Sequence, residues 1–384
     1  FINKYGISNT ASNEYTFVQD DTPPNPVITP NPMVNNNLGF THFKSGSEPL
    51  FTFTSSEDTS DFDPINDVVV YIDNVVDTSP TITRTLPTLP NKIYTATIVP
   101  SAEGVIEIEV PTGKFTDAAG NQNSGSGKSE QWTYDTTSPT ISFKTSSPPI
   151  ATGGTVVANY WNNTNTGLDI TLELDSNDAS IIGGNIQIQM HNGTWSTLTG
   201  GALPSTITES EKNSGTKVIQ LTSGQLGNLS TGNTIKFRPI IKDKAENSVA
   251  GAESSNIDVD VTSPVVAESS AITTPSNNTT PSLIFTSTKA GTLTTTCFDG
   301  FTSSADAVQG SNTRTFNTLN EDTYENKTVT VTDTAGNSGS FTITTFVIDT
   351  TPPSLSSVSI ASSNSNTTLA KENDTITLTI TSNE

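Results

Sequence analysis

Apolar and polar residues alternate with a period of two along several stretches of the chain. In "GLDITLELD" Leu168, Ile170, Leu172 and Leu174 fall on one side, and Asp169, Thr171 and Glu173 on the other. "GVIEIEV" sets Ile106, Ile108 and Val110 against Glu107 and Glu109, and "DTITLTIT" sets Ile376, Leu378 and Ile380 against threonines. This alternation predicts antiparallel strands with one buried and one wet face, and it assigns Glu107, Glu109, Asp169 and Glu173 to solvated faces. In "SGSFTITTFVID" Phe341 and Ile343 share a face, but the next apolar residues are Phe346 and Ile348. The phase slips at Thr344 and Thr345, which predicts a β-bulge there. No long stretch carries a helical period.

The strands are punctuated by a repeat. A turn of the form Asp-x-Ala-Gly-Asn spans Asp117 to Asn121 and Asp333 to Asn337, with a degenerate copy from Asp243 to Asn247 and a more decayed one starting at Asn3. Each is followed by a strand-like stretch and then by a linker of the form Asp-x-Thr-x-Pro, starting at Asp20, Asp135, Asp260 and Asp349. Turn and linker lie 16 to 18 residues apart in every copy, whereas successive linkers are 115, 125 and 89 residues apart. A fixed closing hairpin with variable loops upstream is the signature of repeated sandwich domains. Short strands, frequent turns and repeats of this length predict an all-β chain of tandem immunoglobulin-like antiparallel β-sandwich domains in an extended rod. Residues 1–22 read as the closing hairpin of one domain, 23–137 and 138–262 as complete domains, 263–351 as a shorter one, and 352–384 as the first strands of another. Opening on "FINKYG", the chain reads as a segment of something longer.

Composition agrees with this picture. At 384 residues the chain is too long for one ordinary core and predicts about three domains. Only 32% is hydrophobic and 15% charged, so Thr, Ser and Asn cover much of the surface. Thr is β-branched and suits a pleated, half-buried surface, so this polarity reads as strand before it reads as disorder. Seventeen basic against 39 acidic residues give a formal charge of -22, which repels nucleic acid and anionic lipid and attracts divalent cations. No apolar run approaches the roughly 20 residues that cross a bilayer. A single cysteine, Cys297, forms no disulfide within the chain.

"EIEVPTGKFTDAAGNQN" followed by "WTYDTTSP" resembles the bacterial Ig-like repeats of large surface adhesins and surface-layer proteins. "FTFTSSEDTSDF" resembles the second strand and following loop of those repeats. "TPSLIFTSTKAGTLTTTC" through "VTDTAGNSGSFTITTFVID" is similar to a shorter variety found in marine microbial surface proteins. The resemblance touches all three complete repeats and implies an extracellular, cell-surface, non-enzymatic protein. Repeats of the short variety often pair two cysteines; here Lys327 stands near the second position, so that disulfide is not available.

In an Ig topology the loop joining the last two strands lies at the pole where the chain enters the domain, and the last strand runs to the opposite pole. About ten residues at roughly 3.3 Å each separate the poles by some 30 Å. The Asp of a turn therefore meets the linker that precedes its domain, not the one that follows. This pairs Asp20 and Asp21 with Asp117 and Asn121, Asp135 with Asp243 and Asn247, and Asp260 with Asp333 and Asn337. The loop after the second strand adds Glu57 and Asp58 to the first joint and Asp175 and Asp178 to the second. At the third joint that loop carries Lys289, which predicts a weaker or empty site. Asp349 looks forward to a loop beginning at Glu384.

Calcium accepts six to eight oxygens in flexible geometry, which suits ligands drawn from several loops. Zinc or copper would want His or Cys, and His42, His191 and Cys297 are widely spaced. Taken alone the turns fit either a metal site or ordinary turn chemistry, because Asp and Asn bond their own backbone and Gly tolerates positive φ. Convergence of turn, linker and loop acids on one pole favours metal, since the charges otherwise repel.

"GSGKS", Gly125 to Ser129, lacks a Gly where Gln122 stands, so it reads as a flexible hairpin tip and not as a phosphate loop. Trp132, Trp161 and Trp195 read as core residues. Two histidines and one cysteine leave little for nucleophilic catalysis. Two function classes stay open: a calcium-stiffened stalk of an adhesin, surface layer or filament, whose partners are neighbouring domains or like subunits, and a module that binds a surface glycan or protein.

Overall fold

The structure is a computed structural model that describes residues 17–31, 42–44, 46, 48–59, 61–85, 91–297, 300–303 and 306–384. The turn expected at Asn3, and the hairpin of 1–22 as far as residue 16, lie outside the described residues. Among the described residues strands dominate, the helices are single turns or little more, and no helix is long and apolar enough to cross a membrane. The chain falls into two compact units. One comprises the described residues through Pro149 with Asp169–Leu226 and Ile235–Ser255; the other comprises Ile150–Leu168, Gly227–Thr234 and Asn256–Glu384.

The first unit shows the Ig-like layout clearly. One sheet has the order Pro26–Pro30, Leu50–Thr59, Asn91–Val99, Thr81–Thr85. The other has the order His42–Phe43, Trp132–Tyr134, Gly104–Glu109, Val69–Ile72, Val75–Val76. The inward positions are those given by the period of two: Phe51, Phe53, Ala96 and Ile98 from one sheet meet Val70, Ile106, Ile108 and Trp132 from the other. The entering chain pairs antiparallel with the second strand, then parallel with the last strand, His42 lying opposite Thr133. That crossing from one sheet to the other brings the start of the sandwich beside its closing hairpin. The same unit holds a second strand set, in which Asn185–Asn192 pairs with Thr194–Thr197 and with Thr234–Lys242. Its buried residues include the alternating row Ile170, Leu172 and Leu174, together with Ile186, Ile188, Phe237 and Ile241.

The second unit contains sheets ordered Val266–Ser270, Ser282–Ser287, Gly310–Thr315 and Thr292–Thr295, Thr328–Thr332, Ser338–Thr342. Leu283, Phe285, Phe316, Val329, Val331, Phe346 and Ile348 build its core. Cys297 is buried there as a free thiol, and burial pushes its pKa up. The hairpin of Leu355–Ser362 and Ile376–Ser382 has the expected alternation, yet Ile376, Leu378 and Ile380 are exposed.

Four further expectations change. The phase slip at Thr344 and Thr345 is not a bulge: Ser338–Thr342 pairs with Thr328–Thr332, whereas Phe346–Ile348 pairs with Asp322–Tyr324 in another sheet. The intervening residues carry the chain between sheets, and Glu268 accepts from the Thr344 N–H (2.9 Å). Gly125 to Ser129 is no flexible tip, because Ser126 and Ser129 exchange hydrogen bonds with Val110 and Ile108 and lay the segment along a strand. Glu107 is not solvated: it is 9% exposed and covered by Lys128, whose Nζ lies 2.8 Å away. Trp132 and Trp161 are core residues, but Trp195 is half-buried on a sheet face, with the Arg238 guanidinium 4.4 Å from its ring centroid.

Phe285 is fully buried. Phe285→Ala is expected to destabilise its sandwich by about 3–5 kcal/mol, because the site cannot collapse fully. The exposed control Val308→Ala should stay within about 0.5 kcal/mol. Urea unfolding of the two variants checks the difference.

Candidate metal centres at the linkers

Each closing turn is built in the same way. Asp117 Oδ1 accepts from the N–H groups of Ala119 and Asn121 (both 2.9 Å), and Asn121 Nδ2 donates to Asp117 Oδ2 (2.9 Å). The same amide donates to the main-chain carbonyl of Asp20 (2.9 Å). In the second copy Asn247 Nδ2 donates to Asp243 Oδ2 and to the carbonyl of Asp135 (both 3.0 Å). In the third Asn337 Nδ2 donates to Asp333 Oδ2 (3.1 Å) and to the carbonyl of Asp260 (2.9 Å). The asparagine is thus a staple between turn and linker. The sharp bend before it needs a positive φ, met by Gly120 (90°) and Gly336 (91°), and by Glu246 (75°) in the degenerate copy.

The linker aspartates are equally uniform. Asp20, Asp135, Asp260 and Asp349 each accept, through Oδ1, the N–H of the Thr two residues on, at 3.0 to 3.1 Å. At Asp260 the second carboxylate oxygen then meets Lys289, and at Asp135 it is buried.

At the first linker Asp20, Glu57 and Asp117 bring carboxylate oxygens within 4.8 Å of one another. Burial, then the charges of Asp20 and Asp117, raise the Glu57 pKa. Burial opposes the charge of Asp117 as well, but hydrogen bonds from Asn121, Ala119 and Gly120 outweigh it and lower its pKa. Asp21 takes a hydrogen bond from Gln19 (2.6 Å) and Asp58 is exposed, and neither belongs to the group of three.

At the second linker Asp135 is 8% and Asp243 1% exposed. Burial pushes Asp243 up to about 6 against the hydrogen bonds from Asn247, and the charge of Asp135 adds to the rise. Burial also raises Asp135, opposed by the Thr137 N–H and the nearby Ser180 hydroxyl and reinforced by Glu103 and Asp178. Asp135 Oδ2 is buried without a hydrogen-bond partner. A groove of about 450 Å³ lies over this residue, and Glu103, Asp135, Asp175 and Asp178 are among its lining residues. Asp178 caps the turn at Ala179–Ile181, and Asp175 accepts from the N–H of Asn177 (2.8 Å).

The third linker differs. Lys289 Nζ lies 2.7 Å from Asp260 Oδ2 and 2.8 Å from Asp333 Oδ2. Burial opposes the charge on Asp333, but Lys289 and Asn337 outweigh it and hold its pKa below the usual carboxylate range. Asp349 and the exposed Glu384 belong to no group of three acids among the described residues.

Glu103 and Glu321 were not singled out by the sequence. Glu103 accepts from the N–H of Thr136 and the hydroxyl of Thr137 (both 2.8 Å), and Glu321 accepts from Thr350 and Thr351 in the same way. Thr231 takes this role beside the Asp260 linker, accepting from the Val261 N–H (3.0 Å). The available signal was the doubled threonine after Asp135 and Asp349, which is absent after Asp260.

No known family profile and no curated protein matches the chain. Among solved structures it is similar to a tetra-tandem repeat in the extending region of a large adhesion protein, at 17% identity and TM-score 0.24, over 93% of this chain and 88% of that one. It is also similar to a stretch of titin domains, at 11% identity and TM-score 0.30, over 84% of this chain and 98% of that one. The surface-layer protein SbsC, domains 1–6, matches at 10% identity and TM-score 0.19, over 94% of this chain and 63% of that one. The Ig-like layout rests on the strand pairing described above.

The folded pKa of Asp243, about 6, lies above its ordinary value of 3.8. Its contribution to stability is therefore complete at low pH and lost as pH rises through about 6, a change on the order of 3 kcal/mol. Asp135 shifts in the same direction. In chelator, denaturant unfolding should show stability falling between about pH 4 and about pH 6. Asp243→Asn should flatten most of that slope.

Proposed function

We propose that this chain is a non-enzymatic structural part of a cell-surface protein, in which Ig-like repeats at 23–137, 138–262 and 263–351 are joined by linkers that calcium stiffens. Such an element would serve in an adhesin stalk, a surface layer or an extracellular filament. The observation that carries this reading is the convergence of Asp20, Glu57 and Asp117 within 4.8 Å. The unpartnered Oδ2 of Asp135 and the raised pKa of Asp243 support it at the second linker.

At the first linker the donor set, three carboxylates within reach of one another, fits calcium. Asp20, Glu57 and Asp117 would hold one ion; Asp135 and Asp243, with Asp175 and Asp178 in the adjoining groove, would hold another. Bound there, the ion would supply positive charge that cancels the repulsion and ties linker to turn. Asn121 and Asn247 would act through their staples, keeping the turn carboxylate in place.

Thermal unfolding and small-angle scattering, with calcium and then with chelator, test the reading. Calcium at about 100 times its dissociation constant should stabilise each site by about 2.7 kcal/mol. Chelation should lower the melting temperature and shorten the largest dimension. Unchanged melting and scattering would sink the proposal.

A second reading, a module that binds a surface glycan or protein, draws on the half-buried Trp195 and the Arg238, Lys236 and His191 side chains around its ring. If it holds, Trp195→Ala should abolish binding to a glycan array while leaving the melting temperature within about 1 °C, as expected of a surface change.

A further inference from the structure

Ser55 and Ser287 occupy corresponding places in two sandwiches. Each lies on the second strand of its sandwich, and each hydroxyl accepts the N–H two residues on, from Glu57 in one case and Lys289 in the other (both 3.3 Å). The surroundings also correspond: a linker aspartate (Asp20 or Asp260), a turn aspartate (Asp117 or Asp333) and the staple (Asn121 or Asn337). What differs is the sign of the charge inserted between them. Glu57 adds a third carboxylate, whereas Lys289 brings an ammonium group to the two aspartates.

The oxygens around Lys289 are all engaged. Asp260 Oδ1 accepts from Lys289 (2.8 Å) and from the Thr262 N–H (3.1 Å), and Oδ2 accepts from Lys289 (2.7 Å). Asp333 Oδ2 accepts from Lys289 (2.8 Å) and Asn337 (3.1 Å). Lys289 also donates to the carbonyl of Thr262. The side-chain oxygen of Asn337 accepts from the N–H of Asn163 (3.0 Å). The fully buried Asn162 donates to the carbonyl of Ala335 (2.7 Å), closing the turn from its other side. The contrast with the unpartnered Asp135 Oδ2 is direct.

We infer that Lys289 is a tethered cation standing where the other linkers would take a divalent ion, so that the Asp260 linker is locked without metal. An ammonium group satisfies two carboxylates with charge-assisted hydrogen bonds, and its tether removes any dependence on ion concentration. The inference rests on reading the Asp20 and Asp135 linkers as cation sites. Its consequence is a graded chain, in which loss of calcium loosens those linkers and leaves the Asp260 linker closed.

Hydrogen exchange on the full chain, in calcium and in chelator, reads each linker separately. In the unaltered chain, amides of 333–337 and 260–263 should keep their protection in chelator, while those of 117–121 and 243–247 should lose about tenfold or more. Lys289→Met should lose protection at 333–337 in both conditions. Lys289→Glu should lose it in chelator and regain it in calcium, with a further calcium ion bound per chain by equilibrium dialysis. Glu57→Lys should make protection at 117–121 independent of chelator. The inference is overturned if chelator exposes 333–337 in the unaltered chain, or if Lys289→Met leaves that segment protected. The calcium reading alone fails if chelator exposes none of the linkers, and Lys289→Met then still decides the lock.

Discussion

Carboxylates drawn together out of water need a compensating charge, because the low local dielectric strengthens their repulsion. In this chain they are drawn together by one repeated contact, the asparagine amide that donates at once to the turn aspartate and to the linker carbonyl. The staple fixes where the chain enters a sandwich relative to its closing hairpin. It also sets two acids side by side, and the residue arriving from the second strand then decides how their charge is met.

The sandwich makes this contact possible. The entering chain leaves one sheet and pairs in parallel with the last strand of the other, as at His42 and Thr133, at Tyr160 and Asp258, and at Ser276 and Ile348. That pairing carries the last strand to the following linker, where the aspartate N–H bonds back to Phe43, Trp161 or Ser276. Glu103, Thr231 and Glu321 hold the residues that follow. The Asp135 and Asp260 linkers are therefore gripped by both the sandwich they leave and the turn they meet.

The three linkers show one geometry under different electrostatics. Asp243 and Asp333 hold the same place in their turns, yet burial lifts the first to about 6 while Lys289 helps to lower the second. Backbone shape alone does not set the charge state of such a site. Burial sets it at Asp243, and a lysine from the loop after the second strand sets it at Asp333.

Much of the fold was legible in the chain because its signals are local. Alternation marked the buried rows at Ile106, Ile108 and Val110, and at Ile170, Leu172 and Leu174, since a strand turns successive side chains to opposite faces. The constant spacing of turn and linker marked the closing hairpin. Pairing between strands is not local, and there the pattern misleads: the slip at Thr344 marks a change of sheet, and Ser126 and Ser129 bond a segment whose composition suggests a flexible tip. The roles of Glu103 and Glu321, which act across about thirty residues, were hidden for the same reason. The sequence by itself determined the strands, the repeat and the acids available at each linker. Only the tertiary structure decided which acids meet, which stay in water as Asp58 does, and that a lysine ammonium lies between Asp260 and Asp333, because burial and distance exist only once the sheets have packed.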